Sequence, residues 1–287
     1  MSRYLDPKAD VVFKKIFGLH PRLLISFLNA VLPLPDDGMI ESLIYLPSEQ
    51  VPHIPGFKST LVDVKCTDQQ GRIFIVEMQI QWTKSFMQRL LFGTSTAYVQ
   101  QLEKGEEYHL LRPVYGLGLL ASKFDNETAE WYHHYQLVNV KATQRTIEDL
   151  QLIFIELPKF SPATVSHKKL QVLWLRFMRD LNDKTKVIPS DWLEVSEIKE
   201  AVALSEAAAY NEVEMAAYNK YWDAVSTEKT MLYDKFEEGK AEGKAEGIHS
   251  LLQAVELLKK GQSLNEVSKT TGLDIETLEL LSKQVIF

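Results

Sequence analysis

Residues Leu61-Val-Asp-Val-Lys-Cys-Thr-Asp-Gln-Gln-Gly-Arg-Ile-Phe-Ile-Val-Glu-Met-Gln79 read as two strands joined by a tight turn. Side chains along a strand alternate between its two faces. In residues 61–67, Val62, Val64 and Cys66 therefore share one face, and Leu61, Asp63 and Lys65 share the other. In residues 72–80, Phe74, Val76, Met78 and Ile80 form one face, and Ile73, Ile75, Glu77 and Gln79 form the other. Gly71 supplies the positive φ of a bulged turn, so a three-residue loop Gln69-Gln70-Gly71 pairs Asp68 with Arg72. Counting back from that pair places Asp63 opposite Glu77 and Leu61 opposite Gln79, with opposed Cβ atoms roughly 5 Å apart.

Facing carboxylates repel one another across a strand pair. A hard divalent ion resolves the conflict, and Mg²⁺ is typically held by one or two carboxylates with phosphate and water, at about 2.1 Å. The plain alternative is a solvated hairpin face. Against it, Glu77 and Gln79 interrupt residues 73–80, whose density of Ile, Val and Phe implies burial on both sides. Polar groups in such a place cost free energy unless partnered. Two carboxylates and an amide so placed read as a metal-dependent nuclease site.

Asp63 followed by Glu77-Met78-Gln79 resembles the half-motifs of the PD-(D/E)XK phosphodiesterase superfamily, with Gln where Lys is usual. Residues 10–18 (Asp-Val-Val-Phe-Lys-Lys-Ile-Phe-Gly), residues 154–160 (Phe-Ile-Glu-Leu-Pro-Lys-Phe) and the Glu-Gly-Lys-Ala repeats resemble, more narrowly, the recombination-promoting nuclease or putative transposase family. The resemblance spans most of residues 4–247. It implies an α/β fold: a central mixed β-sheet flanked by helices, a restriction-endonuclease-like core, followed by a helical C-terminal extension. It also implies a Mg²⁺-dependent DNA endonuclease associated with recombination or mobile elements, in which Asp63 and Glu77 hold the metal. Gln79 stands where the superfamily lysine polarises the attacking water, and an amide carries no charge for that work. Lys65, two residues from Asp63 on the same face, and Lys14 in the first helix are the candidates to replace it. The departure keeps open a nuclease fold that binds DNA with weak or no cleavage.

Asp10 precedes an amphipathic run with Val12, Phe13, Ile16 and Phe17 at helical spacing. In related folds an acidic residue of this helix points toward the metal; an exposed helix position, with Asp6 as cap, is the alternative. Arg89 and Tyr98 lie on an expected helix at 84–104, and a guanidinium presents a forked set of donors suited to phosphate. Arg89 and Lys14 are thus candidate substrate-phosphate contacts. His133 and His134 are adjacent, so on a strand they face opposite ways and cannot easily share an ion; we expect surface residues. The seven histidines show no metal-binding spacing, the single cysteine excludes a disulfide and a thiolate zinc cage, and no phosphate-binding Gly-rich loop or Gly-x-Ser-x-Gly elbow occurs.

With 287 residues, 45% hydrophobic and 25% charged, the chain has the material for a substantial core. No signal peptide or apolar run of about 18 residues occurs, and one cysteine fits a reducing compartment, so a cytoplasmic protein without membrane contact is expected. A net charge of −7 offers no general attraction to nucleic acid. DNA contact then needs a local basic patch, for which Lys8, Lys14, Lys15 and Arg22 are candidates.

The patterning predicts helices at 7–18 and 21–32, a Pro-rich stretch at 33–55 with a short strand at 43–46, and strands at 114–121, 132–140 and 152–157. Further helices are expected at 168–181 and 198–221. We divide the chain into a nuclease-like domain (1–185), a helical extension (186–235), a repeat linker (236–247) and a small helix-turn-helix-like module (248–287). Glycines 239, 243 and 247 each cost about 1 kcal/mol in a helix, which favours the linker. The module suggests a DNA-reading regulator, but it carries four Lys against five Asp or Glu, 4 − 5 = −1. Asp274, Glu276 and Glu279 would also burden the reading helix, whose start should present donors to DNA. Protein contact is the better reading: self-association, or an intramolecular cover over the nuclease site.

Overall fold

The computed structural model describes residues 4–50, 60–162 and 169–285. Residues 51–59, the end of the Pro-rich stretch, and Lys168, at the start of an expected helix, lie outside them. The chain divides into two compact units, Met1–Asp223 and Ala224–Phe287.

In the first unit, α1 (Asp10–Phe13) continues as a π-helical turn, Lys14–Gly18, and is followed by α2 (Pro21–Val31). Strand β1 (Leu43–Tyr45) precedes a two-stranded ribbon of β2 (Glu49–Gln50) and β3 (Thr60–Leu61). Strands β4 (Val64–Asp68) and β5 (Ile73–Gln79) form the hairpin, α3 (Lys84–Val99) crosses over, and β6 (Val114–Leu120), β7 (Tyr132–Asn139) and β8 (Ala142–Glu156) complete a six-stranded sheet. Its order is β1-β4-β5-β6-β8-β7. The pairs β5/β6 and β6/β8 are parallel and the other three antiparallel, so the sheet is mixed, as expected.

One face of the sheet packs Val64, Cys66, Phe74, Val76, Leu117 and Ile153 into a core with α1, α2 and α4 (Lys169–Asp180). Phe17, Phe27 and Trp174 sit within 6 Å of one another, centroid to centroid, in that core. The other face packs Ile73, Ile75, Val114, Leu120 and Phe154 against Phe86 and Leu90 of α3. Helix α3 approaches β6 closely because β6 places glycines beneath it. A Cβ on Gly116 would lie 2.5 Å from Thr94 Oγ1, and one on Gly118 3.0 Å from the Phe86 ring.

After α5 (Ser190–Leu193) and α6 (Ser196–Leu204) comes α7 (Glu212–Lys259). The single helix expected at 198–221 is thus two. Asn211 starts the second by accepting the Glu214 N–H at 2.9 Å while Glu214 accepts the Asn211 N–H, a reciprocal cap that favours a break there. Strand β8 begins ten residues before the expected 152, because residues 143–148 are exposed and carry no burial pattern to read. Helix α3 ends at Val99 rather than 104, where the Gln101 side chain turns to bond the backbone of Arg112 instead.

The repeat 236–247, expected as a linker, is helical throughout. Its Ala, Glu and Lys are strong helix formers, and Lys235–Glu238 and Lys240–Glu237 pair across a turn. In the second unit, α8 (Leu264–Thr271) and α9 (Ile275–Val285) pack Val267 and Leu278 on Ala254 of α7. A Ser263–Glu266 capping box opens α8, and Gly272 closes it at φ +73°. Asp274 caps α9 through the Thr277 N–H. Among the described residues no helix is long and apolar enough to cross a membrane.

Candidate active site

The hairpin register is the one the turn dictates. Val64 faces Val76, Cys66 faces Phe74, and Asp68 N–H bonds Arg72 O, with Gly71 at φ +78°. The Asp68 carboxylate fixes the turn by accepting the Gln70 and Arg72 amides and the Arg72 guanidinium.

The ladder stops at Val64, one residue short of the expected Asp63–Glu77 pair. The chain bends at Asp63, and its side chain replaces the backbone bond: Oδ2 accepts the Met78 N–H at 2.8 Å. Beyond the bend, Leu61 pairs with Glu49 instead of Gln79. The same bend sends Val62 into the α3-side core, away from Val64 and Cys66. Burial pushes the Asp63 carboxyl up; the Met78 N–H opposes this, Asp10 adds to it, and Lys14 and Arg89 oppose it.

Glu77 lies on the α3 face of β5 with its side chain 5% exposed. Its Oε2 accepts from Arg89 Nη2 at 3.2 Å and Nε at 3.4 Å, while Oε1 is buried and has no hydrogen-bond partner among the described residues. Burial pushes its carboxyl up to about 7, Arg89 opposes this, and Asp63 adds to it. Gln79 accepts from Arg89 Nη2 at 2.8 Å and donates to Gln81 O at 2.7 Å. Arg89 thus bridges the two polar side chains of β5.

Asp63 also borders a cleft of about 600 Å³ lined with Asp10, Lys14, Lys15, Tyr45 and Lys65. Asp10 pairs with Lys14 Nζ at 2.7 Å. Lys65 turns to Gln50 Oε1 at 3.3 Å, and burial lowers its ammonium from the usual lysine range. Asp63 is therefore the junction: Asp10, Lys14 and Lys65 share its cleft, while Glu77, Gln79 and Arg89 bond to one another beside it.

Several expectations are corrected. Tyr98, expected beside Arg89 at the site, feels the Asp149 carboxylate, and nine residues of helix put it about 13.5 Å along α3 from Arg89. Of the two histidines expected at the surface, His134 is exposed and His133 is half-buried. Its side chain is 14% exposed and bonds Glu156, whereas His134 bonds Gln151, the two pointing apart as alternation requires. Glu156 is fully buried and also accepts from Lys159 at 2.7 Å and from the Phe124 N–H, which gives residues 154–160 a structural task the sequence did not reveal. Each cation of the expected basic patch has an acidic partner: Lys8 pairs with Asp6, Lys14 with Asp10, Lys15 with Glu214 and Arg22 with Glu197 and Glu200. Sequence reading also missed the Arg89–Gln79 bond; the ten-residue spacing from strand to helix was its only signal.

A divalent metal fits these residues. Asp63 and Glu77 offer hard oxygen ligands, and the partnerless Glu77 Oε1 is a buried acceptor that a cation would satisfy. Among the described residues no group of three or more His, Cys, Asp or Glu is placed to hold a metal, so an ion here would draw its remaining ligands from water and phosphate.

A mixed sheet with flanking helices and a carboxylate pair on its central hairpin defines a nuclease-type α/β fold of the PD-(D/E)XK class. The chain belongs to that class at family level: the model of the PD-(D/E)XK nuclease family transposases matches residues 7–234. No curated protein and no solved structure gives a significant match. Family membership implies nuclease-type chemistry on DNA, and PD-(D/E)XK nucleases generally use divalent metal ions.

Proposed function

We propose that this protein is a Mg²⁺-dependent DNA endonuclease, acting in recombination or on mobile elements, with Asp63 and Glu77 as its metal ligands. The observation that carries this reading is the Glu77 carboxylate, buried, with one oxygen unpartnered among the described residues and the half-buried Asp63 carboxylate beside it. A buried carboxylate oxygen without a donor calls for an explanation, and a bound cation supplies one. Bound there, the ion supplies Lewis-acid stabilisation of the phosphate and a more acidic water. Asp63 is held in place by the Met78 N–H and Glu77 by the two-sided burial of β5. Lys14, whose field reaches Asp63, supplies the positive charge that Gln79 lacks, and Asp10 orients it. Lys65, turned toward Gln50, has the weaker claim. We place this activity in the cytoplasm, where a free, buried Cys66 stays reduced.

The residue at position 79 favours a second reading, a nuclease fold that binds DNA and cuts it weakly or not at all. Plasmid nicking by purified protein separates the two. Cutting that requires Mg²⁺ and disappears in Asp63→Ala and Glu77→Ala supports the endonuclease, whereas DNA binding without cleavage in Mg²⁺ and Mn²⁺ supports the second reading.

We assign residues 248–287 to protein contact, with a second copy or with residues 1–230. Asp274 is committed to capping α9 and leaves the start of that helix acidic, a poor surface for phosphate. Removing 248–287 should leave DNA affinity unchanged; a marked loss would reassign the module to DNA reading.

A further inference from the structure

Among the described residues Glu77 bonds one cation, Arg89, and that cation is held unequally. Arg89 Nη2 sits 2.8 Å from Gln79 Oε1, but the contacts to Glu77 Oε2 are 3.2 and 3.4 Å. Charge-assisted pairs usually close to about 2.7–2.9 Å, so the looser arm is the one to the carboxylate. The amide is also fixed in direction. Its nitrogen donates to Gln81 O at 2.7 Å, so its oxygen can only face the guanidinium; turned over, it would set donor against donor and acceptor against acceptor. The two ends differ in freedom as well. The Arg89 side chain is 48% exposed and lies over the Phe86 ring at 5.1 Å, whereas Glu77 is 5% exposed on a strand buried on both faces.

We propose that Arg89, bonded to Oε2 beside the free Oε1, is the resident counter-ion of Glu77 and competes electrostatically with the divalent ion for its charge. Metal binding releases its looser arm, and the guanidinium, still tethered to Gln79, turns to the DNA phosphate. Gln79 is then the cradle of a movable cation: a lysine in its place would repel Arg89, and the amide oxygen holds it. The inference rests on the proposed metal site at Asp63 and Glu77, and it inverts a usual expectation. A residue bonded to a metal ligand ordinarily supports metal binding, and its loss weakens that binding. Loss of a competing counter-ion strengthens it.

Mg²⁺ is titrated calorimetrically into the full-length protein without DNA at pH 9, where proton competition for Glu77 does not mask the effect. Arg89→Met, which keeps the stem over Phe86, should bind Mg²⁺ about tenfold more tightly than the wild type, the worth of one charged hydrogen bond. Arg89→Lys should fall between the two. In the wild type, the Arg89 Nε–H resonance should shift on Mg²⁺ addition, a readout that needs no substitution at the site. Equal or weaker binding by Arg89→Met, with binding abolished in Glu77→Gln, overturns the counter-ion role and leaves the metal site standing. Wild-type Mg²⁺ affinity in Glu77→Gln overturns the metal site and this inference with it.

Discussion

The Asp63 carboxylate does what its backbone does not: Oδ2 accepts the Met78 N–H at 2.8 Å where the β4–β5 ladder has ended. The bond places one carboxylate next to the residue after Glu77 and lets the chain leave the sheet at that point. An acidic side chain thus serves as both strand terminator and candidate metal ligand.

Replacing Asp63 should separate those two tasks. Asn keeps the acceptor and removes a charge that burial disfavours, so Asp63→Asn should be at least as stable as the wild type in EDTA at pH 8. Asp63→Ala leaves the Met78 N–H without its partner and should be about 1–3 kcal/mol less stable than Asp63→Asn. Urea unfolding of the three proteins measures the difference, and equal midpoints for Asn and Ala would show the bond to be unimportant.

Glu77 makes the metal-free protein sensitive to pH. Its folded-state carboxyl titrates near 7, above the unfolded value of 4.5, so the folded protein binds more protons between those values. Stability from this group is complete below pH 4.5 and is lost as the pH rises through 7, by about 3 kcal/mol at most. Glu77→Gln should flatten the profile and unfold at higher urea than the wild type at pH 8 in EDTA. Mg²⁺ should restore the wild type and leave Glu77→Gln unchanged.

Glycines of the two units should respond in opposite senses. At Gly116 a methyl meets Thr94 Oγ1 at 2.5 Å, so Gly116→Ala should cost about 1–3 kcal/mol by overpacking α3 against β6. At Gly243 a Cβ meets nothing within 4 Å on a helix, so Gly243→Ala should stabilise α7 by about 1 kcal/mol. Thermal unfolding followed by circular dichroism reads the first, and helical signal at elevated temperature reads the second.

These contrasts also show what the sequence could convey. Strand alternation and one glycine sufficed for the hairpin register, because period-two patterning and turn geometry act over a few residues. The Asp63 bend was hidden, since it depends on Leu61 finding Glu49 in another segment. The Arg89–Gln79 bond was hidden for the same reason: it joins a strand to a helix whose rotation is set by Gly116 and Gly118 beneath it. Propensity also misled at 236–247, where the glycine cost pointed to a linker although Ala, Glu and Lys carry the helix through. The buried Glu156 needed the β7–β8 pairing, which brings His133 within 2.9 Å of its carboxylate.

Two of the three lysines that line the cleft, Lys14 and Lys65, should differ in their effect on cleavage. Lys14 acts on Asp63 electrostatically and Lys65 is turned to Gln50. Lys14→Met should lower single-turnover cleavage by about 10²-fold, the order of one electrostatic group at a reacting phosphate. Lys65→Met should change it by less than about threefold. The reverse order would move the missing positive charge to Lys65.

The central claim is that Asp63 and Glu77 together hold the ion with which this chain cuts DNA. Single-turnover cleavage of a supercoiled plasmid, titrated with Mg²⁺, tests it most directly with the near-isosteric variants Asp63→Asn and Glu77→Gln, each shown to be folded. The account predicts Mg²⁺-dependent cutting by the wild type and a loss of about 10³-fold or more in each variant. Undiminished cutting by both variants at the same Mg²⁺ concentrations would contradict it.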